Sequence, residues 1–382
     1  MHIVFVTETW PPQINGGAIT GRTLAFGLAA RGHRVEVVRP GGNGSDGNVE
    51  LLFARDALPP GHPGSQVGMP KGWDLRRRWC ERRPDVVHIA TDGPLGVSAM
   101  RMANTLRIPV VTGFHAWSPD YAPRCGVGLS VPLVRSRRMQ FHRRAQITLV
   151  PTRALADELT GAGIRHVQKL RRSVDTDLFT PARREPALRK HWSVCAEAPV
   201  MLCIMGRLAA GKSLALALEA FRALQARIPA VRMVMVGDGP QRTALADAYP
   251  DVIFAGTKRG VELASHYASA DMFLFPSLVE EFGNAVLEAM ASGLAVVAFD
   301  LPAAQEHIAN GISGLVVPAS DARGFITSTY QLGLDGETRQ MLGFNARIVA
   351  QQCAPDAVAA EFDRLLRGLV REHGHDPVGA AA

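Results

Sequence analysis

The sequence predicts an α/β protein built from two Rossmann-like, doubly wound domains that face a central cleft. The first observation is the length, because 382 residues exceed one ordinary hydrophobic core. The second is the alternation of short apolar runs with helix-like stretches, which is typical of a parallel sheet covered by helices. The third is a polar, proline-containing stretch over residues 173–197, after which the alternation restarts. We interpret that stretch as the interdomain linker.

The first half begins with a predicted strand, a helix and a loop. The apolar amino terminus predicts a buried first strand rather than a signal peptide, because no basic segment or cleavage site accompanies it. A helix is predicted from Gly21 to Arg31, with Gly32 ending it, and residues 40–48 are predicted to be a surface loop. Strands are predicted at residues 2–7, 34–38, 50–53, 85–89, 109–112 and 147–150.

The second half repeats the strand pattern and ends in a predicted helix from Pro355 to Val370. The residues from Gly374 to Ala382 are predicted to be disordered. We expect domains over residues 1–180 and 181–354, with a carboxyl-terminal helix at about 355–371 packing back on the first domain. Ligands should bind at the carboxyl ends of the strands. The predicted strands lie near residues 199–205, 231–236, 252–254, 272–275, 294–298 and 314–317.

The composition indicates a globular protein of a reducing compartment. Hydrophobic residues make up 47% and charged residues 20% of the chain. No apolar run reaches the ~18 residues that a membrane span requires. Five scattered cysteines without a C-x-x-C pair favour neither a disulfide framework nor a metal site. We therefore expect a cytoplasmic protein.

Positive charge is concentrated in the first half. Residues 1–180 hold 24 Lys and Arg against 14 Asp and Glu, whereas residues 181–382 hold 18 against 21. A basic surface with interleaved apolar residues suits an anionic membrane, which would place the protein peripherally on the inner face of the plasma membrane. A solvated basic face is an equally good interpretation. Nucleic acid is not expected as a partner, because no recognised binding module is found. The two basic clusters are Arg76, Arg77, Arg78, Arg82 and Arg83, and Arg135, Arg137, Arg138, Arg143 and Arg144.

Residues 206–213, Gly-Arg-Leu-Ala-Ala-Gly-Lys-Ser, follow an apolar run and support two interpretations. The pattern G-x-x-x-x-G-K-[ST] is that of the phosphate-binding loop of nucleotide hydrolases. Such an enzyme needs an aspartate for magnesium, and the nearest candidate, Asp238, follows an apolar run that glycine interrupts. In the second interpretation, Arg207 and Lys212 neutralise the diphosphate of a nucleotide sugar. Both interpretations place a phosphorylated nucleotide at this loop.

Residues 275–293 place two carboxylates around a helix that is predicted to start near Gly283. Glu280 lies in the turn before the helix, and Glu288 lies about one and a half turns inside it. The first N–H groups of a helix are free to bind phosphate. The pair can therefore contact different ends of one ligand. Taken alone, the pair also fits a favourable first-turn acid and a surface residue.

With these residues the chain resembles the family-4 retaining glycosyltransferases of the GT-B fold. The likeness extends to the first strand-to-helix loop, to the segment Ser173–Pro181 and to Tyr267–Asp271. The stretches Pro84–Gly96 and Gly113–His115 resemble a subgroup of bacterial mannosyl- and glucosyltransferases that act on lipid-linked acceptors. Glu281 stands where the family usually has a small hydroxyl residue or glycine. The E-x7-E segment is matched by Ser277, Glu280, Phe282, Gly283, Glu288, Ala289, Met290, Ala291 and Gly293.

The resemblance implies a role for each matching residue, with an acceptor-binding first domain and a nucleotide-sugar-binding second domain. Arg207 and Lys212 would hold the donor phosphates in place of a metal ion, and Glu280 would contact the transferred sugar. His115 would face that sugar from the first domain, although a core histidine at a strand end stays an alternative. The residues implied to bind the donor are Gly16, Gly17, Arg207, Lys212, Gly237, Lys258, Phe282, Gly283, Asn284 and Glu288.

The implied reaction is the retaining transfer of a hexose to a lipid-linked or glycan acceptor. GDP-mannose or a UDP-hexose would be the donor, and no metal or other cofactor would be required. Two other enzyme classes remain alternatives, a P-loop nucleotide hydrolase and a nucleotide-sugar epimerase on the same fold. A non-catalytic binding protein is a further alternative, which the presence of Arg207, Lys212, Glu280 and Glu288 disfavours.

Overall fold

In a computed structural model, the buried apolar runs form the centres of two sheets, one in each of two units. The first unit comprises Met1–Ser173 and Pro355–Ala382, and the second comprises Val174–Ala354. The structure describes residues 1–11, 16–41, 44–54, 56–57, 67–68, 72–114, 131–193, 199–207, 213–239, 241–278, 283–319 and 321–374.

The sheet of the first unit has the strand order β10-β9-β8-β7-β1-β2-β4-β3. Its central strands are rich in valine and isoleucine and are buried, as strands covered by helices on both faces must be. Neighbouring strands are parallel except β3 and β4, and β5 and β6 form a separate antiparallel pair. The strands are β1 (His2–Val6), β2 (Arg34–Pro40), β3 (Gly44–Asp46), β4 (Val49–Ala54), β5 (Asp56–Ala57), β6 (Val67–Gly68), β7 (Val86–Ile89), β8 (Val110–Gly113), β9 (Ile147–Val150) and β10 (Val167–Lys169).

Among the described residues, five helices precede the second unit. The first of them begins at Gly16, five residues earlier than the pattern predicted, and Thr20 and Arg172 both donate hydrogen bonds to the Gly16 carbonyl oxygen of its first turn. Thr152 caps the fifth helix by accepting a hydrogen bond from the Leu155 N–H group. The helices are α1 (Gly16–Ala30), α2 (Gly72–Glu81), α3 (Pro94–Thr105), α4 (Val131–His142) and α5 (Arg153–Gly161).

The sheet of the second unit has six parallel strands in the order β13-β12-β11-β14-β15-β16. Both faces are covered by apolar side chains, which form two hydrophobic clusters around Phe273 and Phe221. The strands are β11 (Val200–Arg207), β12 (Arg232–Asp238), β13 (Ile253–Gly256), β14 (Met272–Phe275), β15 (Ala295–Phe299) and β16 (Leu315–Val317). The helices are α6 (Pro186–His191), α7 (Leu214–Gln225), α8 (Arg242–Ala248), α9 (Gly260–Ser269), α10 (Asn284–Ala291), α11 (Pro302–Gln305), α12 (Ala322–Leu334) and α13 (Gly336–Gln351).

Much of the stretch that was predicted to be a linker is packed into the second unit. The Val174 N–H group donates a hydrogen bond to the Cys353 carbonyl oxygen at 2.9 Å, and Phe179 and Trp192 are buried in the core. Arg184 and Arg189 both pair with Asp271, at 2.7 and 3.0 Å. The units consequently divide between residues 173 and 174, before the boundary expected at residue 180.

The chain returns to the first unit in α14 (Pro355–Gly374), which packs against α1 and the sheet. The Phe362 ring lies edge-on to Phe5 and His88, with ring centroids 6.2 and 5.2 Å apart. On its polar side, Asp363 accepts a hydrogen bond from His33 at 2.7 Å. Gly374 ends this helix, and the remaining residues of the segment predicted to be disordered, 375–382, lie outside the described residues.

Four short strands were missed by the sequence pattern, namely the two-residue pair β5 and β6 and the strands β3 and β10. The strand β3 lies inside the predicted loop 40–48, and β10 has the sequence Val-Gln-Lys. Both are edge strands of three residues, too short to show an apolar alternation. Among the described helices, none combines the length and the apolar character that crossing a bilayer demands.

Candidate functional site

The second sheet has a topological switch point between β11 and β14. The strand β11 pairs with β12 on one side and with β14 on the other, and β14 is followed in the sheet by β15. Connections from β11 and β14 therefore leave in opposite directions, which in parallel sheets creates a ligand-binding crevice at the carboxyl ends. Both segments predicted to bind the donor leave the sheet there, one after Arg207 and one after Phe275.

Several predicted site residues lie outside the described part of the chain. The backbone of Arg207 ends β11 and pairs in register with Asp238. His115, Lys212, Glu280 and Phe282 are not among the described residues. The roles assigned to these five side chains stay predictions.

Gly283 begins the helix that was predicted to bind phosphate. It has a φ of +62°, a left-handed conformation that glycine adopts without steric cost. A Cβ atom at this position would lie 2.9 Å from the Ala303 carbonyl oxygen, so no larger residue fits without displacement. Asn284 follows as the first residue of α10 and is exposed. The free N–H groups of this helix end consequently lie at the carboxyl edge of the sheet.

Glu288 lies inside α10 and is held by a tyrosine from the preceding helix. The Tyr267 hydroxyl donates a hydrogen bond to Oε2 of Glu288 at 2.9 Å. Tyr267 is fully buried, with its ring against Phe179 and Phe273. Burial raises the pKa of Glu288 to about 7, and the hydrogen bond from Tyr267 opposes that rise. The second glutamate of the E-x7-E segment is therefore an oriented carboxyl group with a pKa near neutrality.

The other predicted donor residues of the second unit follow β12 and β13. Gly237 is buried near the end of β12, with a φ of +138°. Lys258 follows β13 and forms an ion pair with Glu262 in the first turn of α9. A nucleotide phosphate at Lys258 would therefore compete with the Glu262 carboxylate.

Asp238 was the magnesium ligand required by the hydrolase interpretation. Its Oδ1 atom accepts a hydrogen bond from the Gly239 N–H group at 2.8 Å. Its Oδ2 atom lies 3.6 Å from a guanidinium nitrogen of Arg242. Both carboxylate oxygens thus have partners within the strand end and α8. Among the described residues, no group of three His, Cys, Asp or Glu side chains is arranged to hold a metal ion.

In the first unit, Gly16 and Gly17 form the start of α1. The Thr20 hydroxyl donates to the Gly16 carbonyl oxygen at 2.8 Å. The buried Arg172 donates from Nη1 to the same oxygen at 3.3 Å and to the Thr20 hydroxyl at 2.5 Å. The first turn of α1 is therefore held by Arg172, which is distant from it in the sequence.

The carboxyl ends of β1 and β7 are joined by Glu8, which sequence reasoning did not single out. Its Oε1 atom accepts a hydrogen bond from the Leu95 N–H group at 3.1 Å, at the start of α3. A Cβ atom at Gly93 would lie 2.1 Å from the Glu8 carboxylate, so a larger residue there would displace that carboxylate. Burial and the nearby Asp92 raise the pKa of Glu8 to about 7, against the effect of the Leu95 hydrogen bond.

Sequence reasoning also missed Arg172 and the contact of Tyr267. Tyr267 opens the stretch Tyr267–Asp271 that resembles the family, but the pattern does not reveal which carboxylate its hydroxyl meets. Arg172 directly precedes the resembling segment that begins at Ser173. Their positions in or beside segments that resemble the family were thus the signal by which the sequence could have identified them.

Comparison with known proteins matches two family descriptions to the two units. Residues 14–178 match Glycosyltransferase Family 4, and residues 199–335 match Glycosyl transferases group 1. A GDP-mannose-dependent alpha-mannosyltransferase of Mycobacterium tuberculosis is 31% identical over 327 residues, which cover 84% of this chain and 85% of the relative. A protein of the same name from Corynebacterium glutamicum is 29% identical, covering 88% of this chain and 81% of the relative.

Solved structures show the same architecture. A sucrose-phosphate synthase from Thermosynechococcus elongatus superposes with a TM-score of 0.73 at 18% identity, covering 97% of this chain and 99% of that one. Anabaena Alr3699/HepE, solved in complex with UDP, gives a TM-score of 0.74 at 19% identity. The superposition covers 96% of this chain and 100% of that one. At these identities the likeness establishes the fold.

The chain belongs to glycosyltransferase family 4. It is a hexosyltransferase of the GT-B fold that uses a nucleotide-sugar donor. The predicted family, fold class and enzyme class are confirmed. The relatives support neither alternative enzyme class, the P-loop hydrolase or the epimerase.

Proposed function

We propose that this protein transfers mannose from GDP-mannose to a lipid-linked glycan acceptor with retention of the anomeric configuration. The observation that carries the donor assignment is a set of relatives, named as GDP-mannose-dependent alpha-mannosyltransferases, that align with most of the chain. The local geometry supports nucleotide-sugar binding, because Glu288 and the start of α10 lie on the carboxyl side of the switch point.

In the proposed site, each donor portion has a partner of matching chemistry. Glu288 accepts hydrogen bonds from the ribose hydroxyls, and Tyr267 keeps its carboxylate oriented. Arg207 and Lys212 neutralise the diphosphate as it leaves, which is stabilisation of the charge that develops in the transition state. The start of α10, at Gly283 and Asn284, adds N–H donors, and the resemblance assigns Phe282 to the same donor contact. Gly237 and Lys258 line the nucleotide.

The transferred sugar also has partners that the family resemblance implies. Glu280 would bind its hydroxyls, His115 would contact it, and Gly16 and Gly17 would permit close backbone approach. The bond from the anomeric carbon to the diphosphate oxygen breaks, and a bond from the acceptor oxygen to the same carbon forms on the same face. As that bond forms, the acceptor hydroxyl passes its proton to the departing diphosphate oxygen on the same face. The transition state, in which one bond is breaking and the other is forming, has oxocarbenium character. It requires no covalent enzyme intermediate and no metal ion.

A donor screen tests this function. We expect purified protein to release GDP from GDP-mannose, slowly to water and faster with a lipid-linked glycan acceptor. Lys212→Ala should lower turnover by about 10²-fold or more, because a lost charge-stabilising group costs several kcal/mol in the transition state. Lys190→Ala, at an exposed lysine of α6, is the matched control. Turnover of UDP-sugars alone would contradict the donor assignment, and ATP hydrolysis without sugar-nucleotide turnover would contradict the function.

We also propose that the first unit binds an anionic membrane surface through exposed arginines of α2, of α4 and of the turn that follows α4. Several arginines of the two basic clusters already have partners within the protein and are not assigned to the membrane contact. Arg78 pairs with Glu36 and Glu50, Arg138 pairs with Asp92 at 2.5 Å, and Arg83 and Arg143 donate to backbone carbonyls. The basic residues that support the proposal are the exposed Arg76, Arg137 and Arg144.

Liposome flotation tests the membrane proposal. Replacing Arg76, Arg137 and Arg144 by glutamine should reduce binding to anionic vesicles, since each cation near the surface contributes about 1 kcal/mol. The same number of substitutions at Lys190, Arg227 and Arg323, which are exposed in the second unit, is the control. Equal flotation with neutral and anionic lipid would exclude an electrostatic membrane contact.

A further inference from the structure

A cavity that is partly open to solvent lies in the first unit, between α1 and the carboxyl ends of the strands β7, β8 and β9. Its lining includes Gly17 and Thr20 of α1, His88 of β7, and Arg171 and Arg172 after β10. The carboxyl edge of a parallel sheet is where this class of fold binds ligands. The residues that line this cavity therefore indicate which chemical class of ligand it would bind.

The charged side chains that line the cavity are basic. Arg171 is exposed and Arg172 is 4% exposed, and the described lining contains no aspartate or glutamate. The helix α1 begins at the same place, and its first turn has no acidic residue, so the positive end of the helix dipole is not neutralised by α1 itself. The electrostatic potential of such a cavity favours an anion.

Arg172 is positioned before any ligand arrives. Its Nη1 atom donates to the Gly16 carbonyl oxygen and to the Thr20 hydroxyl, which fixes the guanidinium beside the first turn of α1. Burial lowers the pKa of Arg172 to about 10, because the cation is poorly solvated. An oxyanion beside the guanidinium would offset that cost with charge-assisted hydrogen bonds.

His88 supplies a second polar group at the inner end of the cavity. It is 4% exposed and lies between the rings of Phe5 and Phe362, at 5.0 and 5.2 Å. Within the described part of the chain its Nδ1 atom has no hydrogen-bond partner. Burial lowers the pKa of His88 to about 4, and the ring forms a hydrogen bond to the Val111 backbone. A neutral imidazole whose N–H group is engaged elsewhere presents Nδ1 as an acceptor, which suits a hydroxyl donor.

We propose that this cavity binds a phosphate ester of a polyol, as part of the acceptor, with Arg172 contacting the phosphate and His88 accepting a hydrogen bond from a hydroxyl. The inference rests on the proposed function, because it specifies the acceptor chemistry of that transfer. A phosphate ester of a polyol occurs both in lipid headgroups and in soluble sugar phosphates. The two sources are distinguished by the test.

The test measures binding of glycerol 3-phosphate to the full-length protein by calorimetry, with GDP in excess to occupy the nucleotide site. We expect saturable binding that Arg172→Gln weakens at least tenfold, roughly the effect of one lost charge-assisted hydrogen bond. Arg165→Gln, at an exposed arginine of the same unit, is the control and should bind as the parent does. Thermal unfolding of the first unit at the parent's temperature shows that each variant is folded, and Arg172→Lys, which keeps the charge, should retain most of the binding.

His88→Phe tests the hydroxyl contact separately, because a phenyl ring preserves the packing between Phe5 and Phe362. We expect the parent to prefer glycerol 3-phosphate over methyl phosphate, and His88→Phe to lose that preference. Competition by phosphatidylglycerol vesicles, but not by phosphatidylcholine vesicles, would identify a lipid headgroup as the source. Competition by glucose 6-phosphate alone would identify a soluble sugar phosphate.

Two results would overturn the inference: no saturable binding by the parent, or equal binding by the parent and Arg172→Gln. GDP-mannose turnover without glycerol 3-phosphate binding would remove this inference and leave the proposed function intact. Glycerol 3-phosphate binding without GDP-mannose turnover would remove the proposed function while the anion site stood.

Discussion

Two carboxyl groups, Glu8 in the first unit and Glu288 in the second, have pKa values raised to about 7. In each, burial disfavours the charged carboxylate, and one hydrogen-bond donor opposes that effect. The donor is the Leu95 N–H group for Glu8 and the Tyr267 hydroxyl for Glu288. The consequence is that both groups change protonation state around neutral pH, so the donors that contact them influence which state is present.

Tyr267→Phe tests the role of the hydroxyl at the scale of one residue. Losing this donor should raise the pKa of Glu288 further, so a smaller fraction is ionised and able to accept hydrogen bonds from the ribose. We expect KM for the nucleotide sugar to rise about 5- to 10-fold at pH 7, from 1–1.4 kcal/mol of lost interaction, with a smaller change in kcat. The increase should diminish as the pH is raised to 9. Tyr249→Phe is the control, and a KM that is unchanged from pH 6 to 9 would contradict the assignment.

At the scale of elements, the start of α10 and the segment 174–192 show how local chain geometry positions the site. The helix begins through the left-handed Gly283, which brings its amino terminus against Ala303. The segment 174–192 is fastened by Arg184 and Arg189 to Asp271, directly before β14. The Val200 N–H group of β11 donates to the same aspartate at 2.7 Å. Asp271 thus joins this segment, β11 and the start of β14 on the side of the sheet opposite the site.

Gly283→Ala tests the helix start. A Cβ atom would impose the left-handed strain of a non-glycine residue and would also approach the Ala303 carbonyl oxygen. We expect a loss of about 2–3 kcal/mol in the free energy of unfolding of the second unit, together with weaker donor binding. Gly311→Ala is the matched control, since its φ is +73° but nothing lies within 4 Å of its Cβ position. Denaturant unfolding of both variants gives the comparison, and equal losses would show that the contact with Ala303 is unimportant.

At the scale of the whole molecule, titrating groups limit stability on both sides of neutral pH. Burial lowers the pKa values of His88 and His142 to about 4, and ion pairs and hydrogen bonds lower that of Glu36 to about 2 despite burial. These groups stabilise the fold at neutral pH, and their contribution is lost as the pH falls through the folded pKa. Glu8 changes the stability with pH in the opposite direction, because its raised pKa favours the protonated form in the folded state. Its contribution is present below pH 4.5 and is lost as the pH rises through about 7.

Glu8→Gln tests the alkaline side of this balance. Glutamine keeps an acceptor for the Leu95 N–H group and mimics the protonated glutamic acid. Between pH 5 and 8 the variant should gain stability relative to the parent, on the order of 1–3 kcal/mol, as linkage to the raised pKa requires. Glu81→Gln, at an exposed carboxylate of α2, should show no such trend. Melting temperatures at four pH values measure the difference, and a constant offset would contradict the raised pKa.

The predicted central strands are all present, whereas four short strands and the packing of the segment 174–192 were not predicted. Strands such as β1 and β15 are runs of mainly apolar residues, and that pattern is visible in neighbouring positions of the chain. The strand β3 has the sequence Gly-Ser-Asp, and only its pairing with β4 makes it a strand. Residues 174–192 are polar and proline-containing, and their structure depends on Asp271, Cys353 and the core.

The sequence by itself determined the α/β class, the family and the position of Glu288 in a helix, because these follow from local periodicity and from the spacing of motifs. Only the tertiary structure decided which partners set the chemistry of the polar residues. Tyr267 lies 21 positions from Glu288, Glu8 lies 87 from Leu95, and Arg172 lies 156 from Gly16. Burial and hydrogen bonding shift a pKa through groups that are near in space, and folding brings these distant residues together.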